Sequence, residues 1–205
     1  MNLPNKITVG RFGLAVGFLV FFVLADVENS SEWWKPFVAA WGFGLAVIGD
    51  AFDGYYARKL GLQSDFGRIA DPVVDKIIVS GSLILLAGCD WARHWTPPWM
   101  VVLIIAREFM VSGLRGFIEA RGVAFPSRWD GKMKMILQCI AIPFVLLARA
   151  QDLALPGARG LGEVLDITTL AFVWLTLAVT LTSGWSYVSA AAHVLRTQGD
   201  ARGAP

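Results

Sequence analysis

The sequence is poor in charge: Asp, Glu, Lys and Arg make up only 17% of its 205 residues, compared with about 25% in an ordinary soluble domain. It has only two cysteines and no glycine repeat, which excludes disulfide-stapled and fibrous classes. Disorder is excluded because 56% of the residues are hydrophobic. The mean hydropathy of +0.57 and the nine tryptophans are typical of a membrane protein. A net charge of only +2 gives no indication of a nucleic-acid partner.

The apolar runs are numerous but mostly short. A helix needs about 20 mostly apolar residues to cross a hydrocarbon core of about 30 Å, and the run Ile167–Leu195 meets that test. Five shorter uncharged runs are Phe12–Ala25, Pro36–Gly49, Ile77–Cys89, Trp95–Ala106 and Met135–Ala148. They can cross only if each helix continues through charged residues at one end. We therefore predict an all-α integral membrane protein with six transmembrane helices and its charges gathered at one membrane face.

The basic residues alternate with these runs. If both termini are cytoplasmic, the inner segments hold 14 of the 18 Lys and Arg residues, and the outer segments hold four beside seven acids. The positive-inside rule thus predicts cytoplasmic N- and C-termini. A signal peptide cleaved before Asp26 is the alternative for the first run. We expect a single domain over residues 1–205, with a cytoplasmic N-terminal segment at 1–11 and a flexible tail at 196–205.

Four aspartates recur with helical spacing where the second span ends and the third begins. One helical face combines Asp50, Asp53, Gly54 and Ala57, and the other combines Gly67, Asp71 and Asp75. Four like charges at a membrane boundary repel one another and are costly to desolvate. Hard cations such as Mg²⁺ prefer carboxylate oxygens, so four carboxylates suffice for a two-metal site. The alternative is a salt-bridge lattice with Arg58, Lys59, Arg68 and Lys76, although the small residues favour close approach of a ligand or helix.

Written out, the pattern is Asp50-x-x-Asp53-Gly54-x-x-Ala57-Arg58, eight residues, then Gly67-x-x-x-Asp71-x-x-x-Asp75. It resembles the signature of the CDP-alcohol phosphotransferases, membrane enzymes that join a CDP-linked lipid or alcohol to a second alcohol and release CMP. The resemblance implies six transmembrane helices and a cytoplasm-facing polar active-site cavity. It also implies that Asp50, Asp53, Asp71 and Asp75 hold two divalent metal ions, Mg²⁺ or Mn²⁺. Asp75 is the candidate general base.

The resemblance further implies which residues surround the CDP-linked substrate. Gly54, Ala57 and Gly67 would clear space for the nucleotide, and Arg58 would lie near its phosphates. Asn5 and Thr8 would contact the cytidine end. The metal-binding Asp50, Asp53 and Asp71 would complete this substrate site.

Other segments resemble the branch of this family that transfers the phosphatidyl group from CDP-diacylglycerol to sn-glycerol 3-phosphate and forms phosphatidylglycerophosphate. These segments lie within Leu3–Arg11, Arg107–Arg115 and Pro126–Gln138, with Met135 departing from a frequent Thr. The carboxylates would repel the acceptor's phosphate, so a separate basic pocket is required. Its candidate residues are Arg107, Arg115, Lys132 and Lys134. For both lysines the alternative role is positive-inside anchoring.

Two other functions remain open at this point. A sister enzyme would use the same chemistry on another acceptor, as cardiolipin, phosphatidylserine or phosphatidylinositol-phosphate synthases do. A small cation transporter would use the intramembrane aspartates for ion passage, but it needs neither CMP release nor the paired Gly and Ala spacing. Family members are commonly homodimers, so we expect a homodimer in the lipid bilayer of a bacterial inner membrane, with no nucleic-acid partner.

Overall fold

The structure, a computed structural model, describes residues 3–59, 65–122, 129–156 and 159–203. Within these ranges, the side chains of residues 3–8, 50–59, 65–72, 130, 159, 193 and 195–203 are not described. The helices are α1 (Leu3–Leu24), α2 (Trp34–Lys59), α3 (Asp65–Gly88), α4 (Pro98–Glu119), α5 (Trp129–Ala154) and α6 (Arg159–Gly203). The prediction of an all-α protein is confirmed, with six helices in the described chain.

The helices extend beyond the short apolar runs, as the sequence predicted. α2 continues through the acidic segment to Lys59, and α4 continues through Arg107 and Glu108 to Glu119. The first five helices have 22 to 26 residues, and at about 1.5 Å per residue this length matches a hydrocarbon core of about 30 Å. By length and apolar composition together, two segments of the described chain could cross a membrane, Gly131–Ala154 and Gly160–Ala192. These features are consistent with a membrane protein.

The two ends of the chain are more helical than the sequence suggested. α1 already begins at Leu3, within the segment that was expected to precede the first span. α6 continues to Gly203, so most of the tail expected from residue 196 has helical backbone. Ala, Leu, Arg and Gln are good helix formers, and no proline interrupts this stretch before Pro205.

The helices of the described chain contact one another in a ring, in the order α1, α2, α5, α6, α4, α3 and back to α1, and α3 also meets α5. Large apolar side chains fill the interior: Phe43, Leu86, Met100 and Ile142 are at most 1% exposed. Many others point outward, such as Trp185, which is 76% exposed. Such an apolar exterior suits contact with lipid.

One end of the bundle is joined by the turn between α3 and α4. The indole Nε1 of Trp95 donates a hydrogen bond of 2.6 Å to Asp166 Oδ1 at the start of α6. The guanidinium of Arg149 on α5 lies over the ring of Trp91, 5.4 Å from its centroid. The opposite end of the bundle carries the polar side chains described below.

We predict that Phe43→Ala destabilises the bundle. Phe43 is fully buried and meets the Phe18 ring edge to face, with 5.6 Å between centroids. Its removal leaves a cavity, and such a change costs about 3 to 5 kcal/mol. The thermal unfolding midpoint in detergent should fall clearly.

Leu45→Ala is the matched control for this prediction, because Leu45 lies on the same helix and is 66% exposed. Its unfolding midpoint should stay close to that of the unaltered protein. Equal shifts in the two variants would contradict the packing described here.

Candidate active site

A cavity of about 690 Å³ opens between α4, α5 and α6 at the polar end of the bundle. Its polar lining consists of Lys76, Arg107, Glu108, Ser112, Arg115, Glu119, Lys132, Lys134 and Tyr187. The structure therefore brings together all four basic residues of the predicted acceptor pocket. Their role as phosphate ligands stays a prediction.

Two helices supply these four basic residues. Arg107 and Arg115 are eight residues apart on α4, which places them two turns apart on one face. Lys132 and Lys134 follow closely after α5 begins at Trp129. The N-terminal end of a helix carries partial positive charge, so cations are disfavoured there and anions are favoured. The start of α5 thus adds to the positive potential of the cavity.

Glu108 is buried between two cations. Its Oε1 accepts a hydrogen bond of 3.1 Å from Arg107 Nη1, and its Oε2 accepts a hydrogen bond from Lys134 Nζ. The Arg107 and Glu108 side chains are 5% and 10% exposed. Arg107 Nη2 also donates to Ser183 Oγ on α6 at 2.8 Å. One carboxylate therefore joins α4 to α5, and its arginine partner reaches α6.

Tyr187 on α6 connects Arg107 and Arg115, and it was not predicted from the sequence. Its hydroxyl accepts a hydrogen bond of 3.2 Å from Arg115 Nη2. The guanidinium carbons of Arg107 and Arg115 lie 5.6 and 5.7 Å from its ring centroid, within the range of cation–π attraction. Tyr187 is only 2% exposed. The available signal was the i and i+4 spacing of Ser183 and Tyr187, which places both side chains on one face of the last helix.

Two glycines allow close packing around Arg107 and Tyr187. A Cβ atom added to Gly184 would lie 2.9 Å from Arg107 Cγ, and one added to Gly131 would lie 3.0 Å from the Tyr187 hydroxyl oxygen. Larger residues at either position would push on the arginine or the tyrosine. The close approach of α6 to α4 and α5 therefore depends on both glycines.

Asp75 lies on α3 between two smaller cavities. One of them is also lined by Arg11, whose Nη2 is 3.5 Å from Asp75 Oδ1. The other is lined by Asp75, Lys76, Glu108 and Lys134, and the last three residues also line the large basic cavity. The small cavity beside Asp75 and the large basic cavity are therefore neighbours that share lining residues. The ion pair with Arg11 was not foreseen, although Arg11 ends the N-terminal motif.

The remaining predicted site residues lie outside the described side chains. They are Asn5 and Thr8 on α1, Asp50, Asp53, Gly54, Ala57 and Arg58 on α2, and Gly67 and Asp71 on α3. Among the described residues, no group of three or more His, Cys, Asp or Glu side chains could hold a metal ion. The metal site therefore stays a prediction, and its donor set of four carboxylates is of the kind that Mg²⁺ prefers.

The chain belongs to the CDP-alcohol phosphatidyltransferase family, whose sequence profile matches residues 1–182. It is therefore a transferase, as the aspartate pattern predicted. It is 36% identical over 202 residues to the CDP-diacylglycerol--glycerol-3-phosphate 3-phosphatidyltransferase of Bacillus subtilis, covering 96% of this chain and 98% of that one. The protein of the same name from Rickettsia felis is 35% identical over 190 residues, with 92% and 94% covered. A probable phosphatidylglycerophosphate synthase of Mycobacterium tuberculosis is 31% identical over 176 residues, with 84% and 78% covered.

We predict that Glu108→Gln lowers stability strongly. The change leaves the buried Arg107 and Lys134 beside a neutral amide, and removal of one partner from a buried ion pair costs about 3 to 5 kcal/mol. The thermal unfolding midpoint in detergent at neutral pH should fall by several degrees.

Glu119→Gln is the control for this prediction, because Glu119 lies on the same helix, lines the same cavity and is exposed. It should unfold at nearly the original temperature. A Glu108→Gln protein as stable as this control would show that the carboxylate does not hold the two cations.

Proposed function

We propose that this chain is a phosphatidylglycerophosphate synthase, which transfers the phosphatidyl group from CDP-diacylglycerol to sn-glycerol 3-phosphate and releases CMP. The observation that carries the proposal is the convergence of Arg107, Arg115, Lys132 and Lys134 on one cavity. Such a cavity suits an acceptor that bears a phosphate. The names of the Bacillus subtilis and Rickettsia felis relatives support this acceptor.

We propose that all six helices cross the inner membrane of a bacterium with both termini in the cytoplasm, as a homodimer. The helix lengths, the outward-facing apolar side chains and the excess of Lys and Arg in the inner segments support this topology. The basic cavity then faces the cytoplasm, where the water-soluble acceptor is found. CDP-diacylglycerol would enter from the lipid bilayer.

In this proposal, Arg115 and Lys132 supply the positive charge that faces the acceptor's phosphate most directly. Arg115 donates to the neutral hydroxyl of Tyr187, and Lys132 lies over the Trp129 ring, 5.7 Å from its centroid. Arg107 and Lys134 share the single carboxylate of Glu108. Four cations against this one buried anion leave an excess of positive charge for a phosphate dianion.

The CDP-linked substrate is proposed to bind where α2 ends and α3 begins. The carboxylates of Asp50, Asp53, Asp71 and Asp75 are of the right chemistry to hold two divalent ions, Mg²⁺ or Mn²⁺. When bound, such ions neutralise the diphosphate and stabilise the charge that builds up on CMP. Asn5 and Thr8 would contact the cytidine end, and Arg58 the phosphates. Gly54, Ala57 and Gly67 would leave space for the nucleotide.

Asp75 is proposed to accept the proton of the acceptor's primary hydroxyl. The hydroxyl oxygen then bonds to the β-phosphorus of CDP-diacylglycerol, and the bond from that phosphorus to the oxygen of CMP breaks. The small cavity that Asp75 lines together with Glu108 and Lys134 supports this role. The Arg11 guanidinium beside Asp75 helps to orient the carboxylate.

CMP release by the detergent-purified protein tests the proposal. With CDP-diacylglycerol and Mg²⁺, we expect activity with glycerol 3-phosphate and none with phosphatidylglycerol, serine or inositol phosphate. Activity with one of those acceptors would replace the proposed acceptor but keep the transferase chemistry. If the folded protein released no CMP with any of these acceptors, the proposed function would be wrong.

We predict that Asp75→Asn lowers kcat by at least about a hundredfold, because general bases contribute about 10² to 10⁴ in rate. Asp152→Asn is the control, since Asp152 is exposed near the opposite end of the bundle. Its kcat should be unchanged. Activity of Asp75→Asn within a few fold of that of the control would exclude Asp75 as the base.

We predict that Tyr187→Phe raises KM for glycerol 3-phosphate and leaves kcat and KM for CDP-diacylglycerol almost unchanged. The variant keeps the ring beneath both guanidinium groups but loses the hydrogen bond to Arg115. A hydrogen bond contributes about 0.5 to 1.5 kcal/mol, so the rise should be roughly twofold to twelvefold. Trp185→Phe, at an exposed position on the same helix, should leave this KM unchanged. An equal rise of both substrates' KM values would point to a general loss of structure instead.

A further inference from the structure

Gln138 is a buried polar side chain whose amide nitrogen has no hydrogen-bond partner among the described residues. It lies on α5, is 2% exposed, and its Nε2 is inaccessible to solvent. A buried donor without an acceptor costs about 1 to 3 kcal/mol, and in native proteins such groups are few. The mechanism proposed above makes no use of Gln138. This amide donor therefore lacks an acceptor among the described residues.

Gln138 lines a small cavity beside Asp75, and it also lines a separate apolar cavity. The small cavity measures about 40 Å³, and its other lining residues include Asp75, Glu108 and Lys134. Lys134 and Gln138 are four residues apart on α5 and so share a helix face. A buried water molecule needs about 10 to 15 Å³ of such space, so the cavity has room for a hydroxyl group.

The positions of these residues match the order of groups along the acceptor. Lys134 lies on the side of the basic cavity, where the phosphate is proposed to bind, and Asp75 lies where the primary hydroxyl is proposed to lose its proton. The carbon between those two groups in glycerol 3-phosphate carries the secondary hydroxyl. Gln138 lines the same small cavity as both residues, so this hydroxyl would pass beside it.

We propose that Gln138 is a specificity-determining residue whose side-chain amide turns toward the small cavity when the acceptor binds and donates an N–H hydrogen bond to the acceptor's secondary hydroxyl. The proposal rests on the proposed function. A site built to hydrogen-bond a substrate hydroxyl rejects the analogue that lacks it, because a buried polar group is then left unpaired. Gln138 thus selects an acceptor with a hydroxyl on the carbon next to the reacting one. Four cations that bind the phosphate do not distinguish acceptors by this hydroxyl.

The test compares two acceptors, sn-glycerol 3-phosphate and 3-hydroxypropyl phosphate, which lacks only the secondary hydroxyl. For the unaltered protein we expect kcat/KM to be at least about tenfold higher with glycerol 3-phosphate. For Gln138→Leu we expect the two acceptors to differ by less than about twofold. Gln138→Met, of similar volume, serves as a second variant in case the branched side chain disturbs folding.

Gln151→Leu is the matched control, since it makes the same change near the other end of α5, where Gln151 lies against Gly162. It should keep the full preference for glycerol 3-phosphate. If Gln138→Leu or Gln138→Met is active and keeps that preference, the inference is overturned and a water molecule alone satisfies the amide. If the unaltered protein releases CMP with neither acceptor, the proposed function fails first, and the inference falls with it.

Discussion

A single buried carboxylate determines how the polar end of this bundle is assembled. Glu108 lies on α4 and accepts hydrogen bonds from Arg107 and Lys134. Removing charges from water is costly, and the cost is recovered only when geometry and hydrogen bonding are good. The three charges are therefore stable only if α4 and α5 keep this relative position. The hydrogen bond from Arg107 to Ser183 extends the same requirement to α6.

The rest of the cavity follows from that arrangement. Glu108 holds Arg107, and the ring of Tyr187 packs against the Arg107 guanidinium. The Tyr187 hydroxyl also accepts a hydrogen bond from Arg115. Gly131 and Gly184 allow α6 to approach α4 and α5 closely. The opposite end of the bundle is joined separately through Trp95 and Asp166. The protein thus has one end that is packed and another that keeps a large opening lined by cations. Binding of a phosphate would neutralise the excess positive charge of that opening. Arg107 and Lys134 therefore contribute both to stability, through Glu108, and to the proposed function.

Local sequence patterns predicted the helices and a large part of the cavity. The uncharged runs predicted where the helices lie, and the need to bind the acceptor's phosphate, together with the family resemblance, predicted the four basic residues of the cavity. The contacts of Ser183 and Tyr187 were missed because their partners on α4 are 76 and 72 residues away, and no local pattern encodes such a pairing. The burial of Gln138 was likewise invisible, since it depends on how α3, α4 and α5 meet. The metal site and the nucleotide site remain predictions from the aspartate pattern.

In the proposed mechanism, the acceptor's phosphate binds in the basic cavity while its primary hydroxyl reaches Asp75. The most direct measurement is an experimental structure of the protein in a lipid nanodisc with bound sn-glycerol 3-phosphate. We expect the phosphate within hydrogen-bond distance of Arg115 and Lys132, with the glycerol chain directed past Gln138 toward Asp75. A phosphate bound outside this cavity, or a primary hydroxyl directed away from Asp75, would contradict this mechanism.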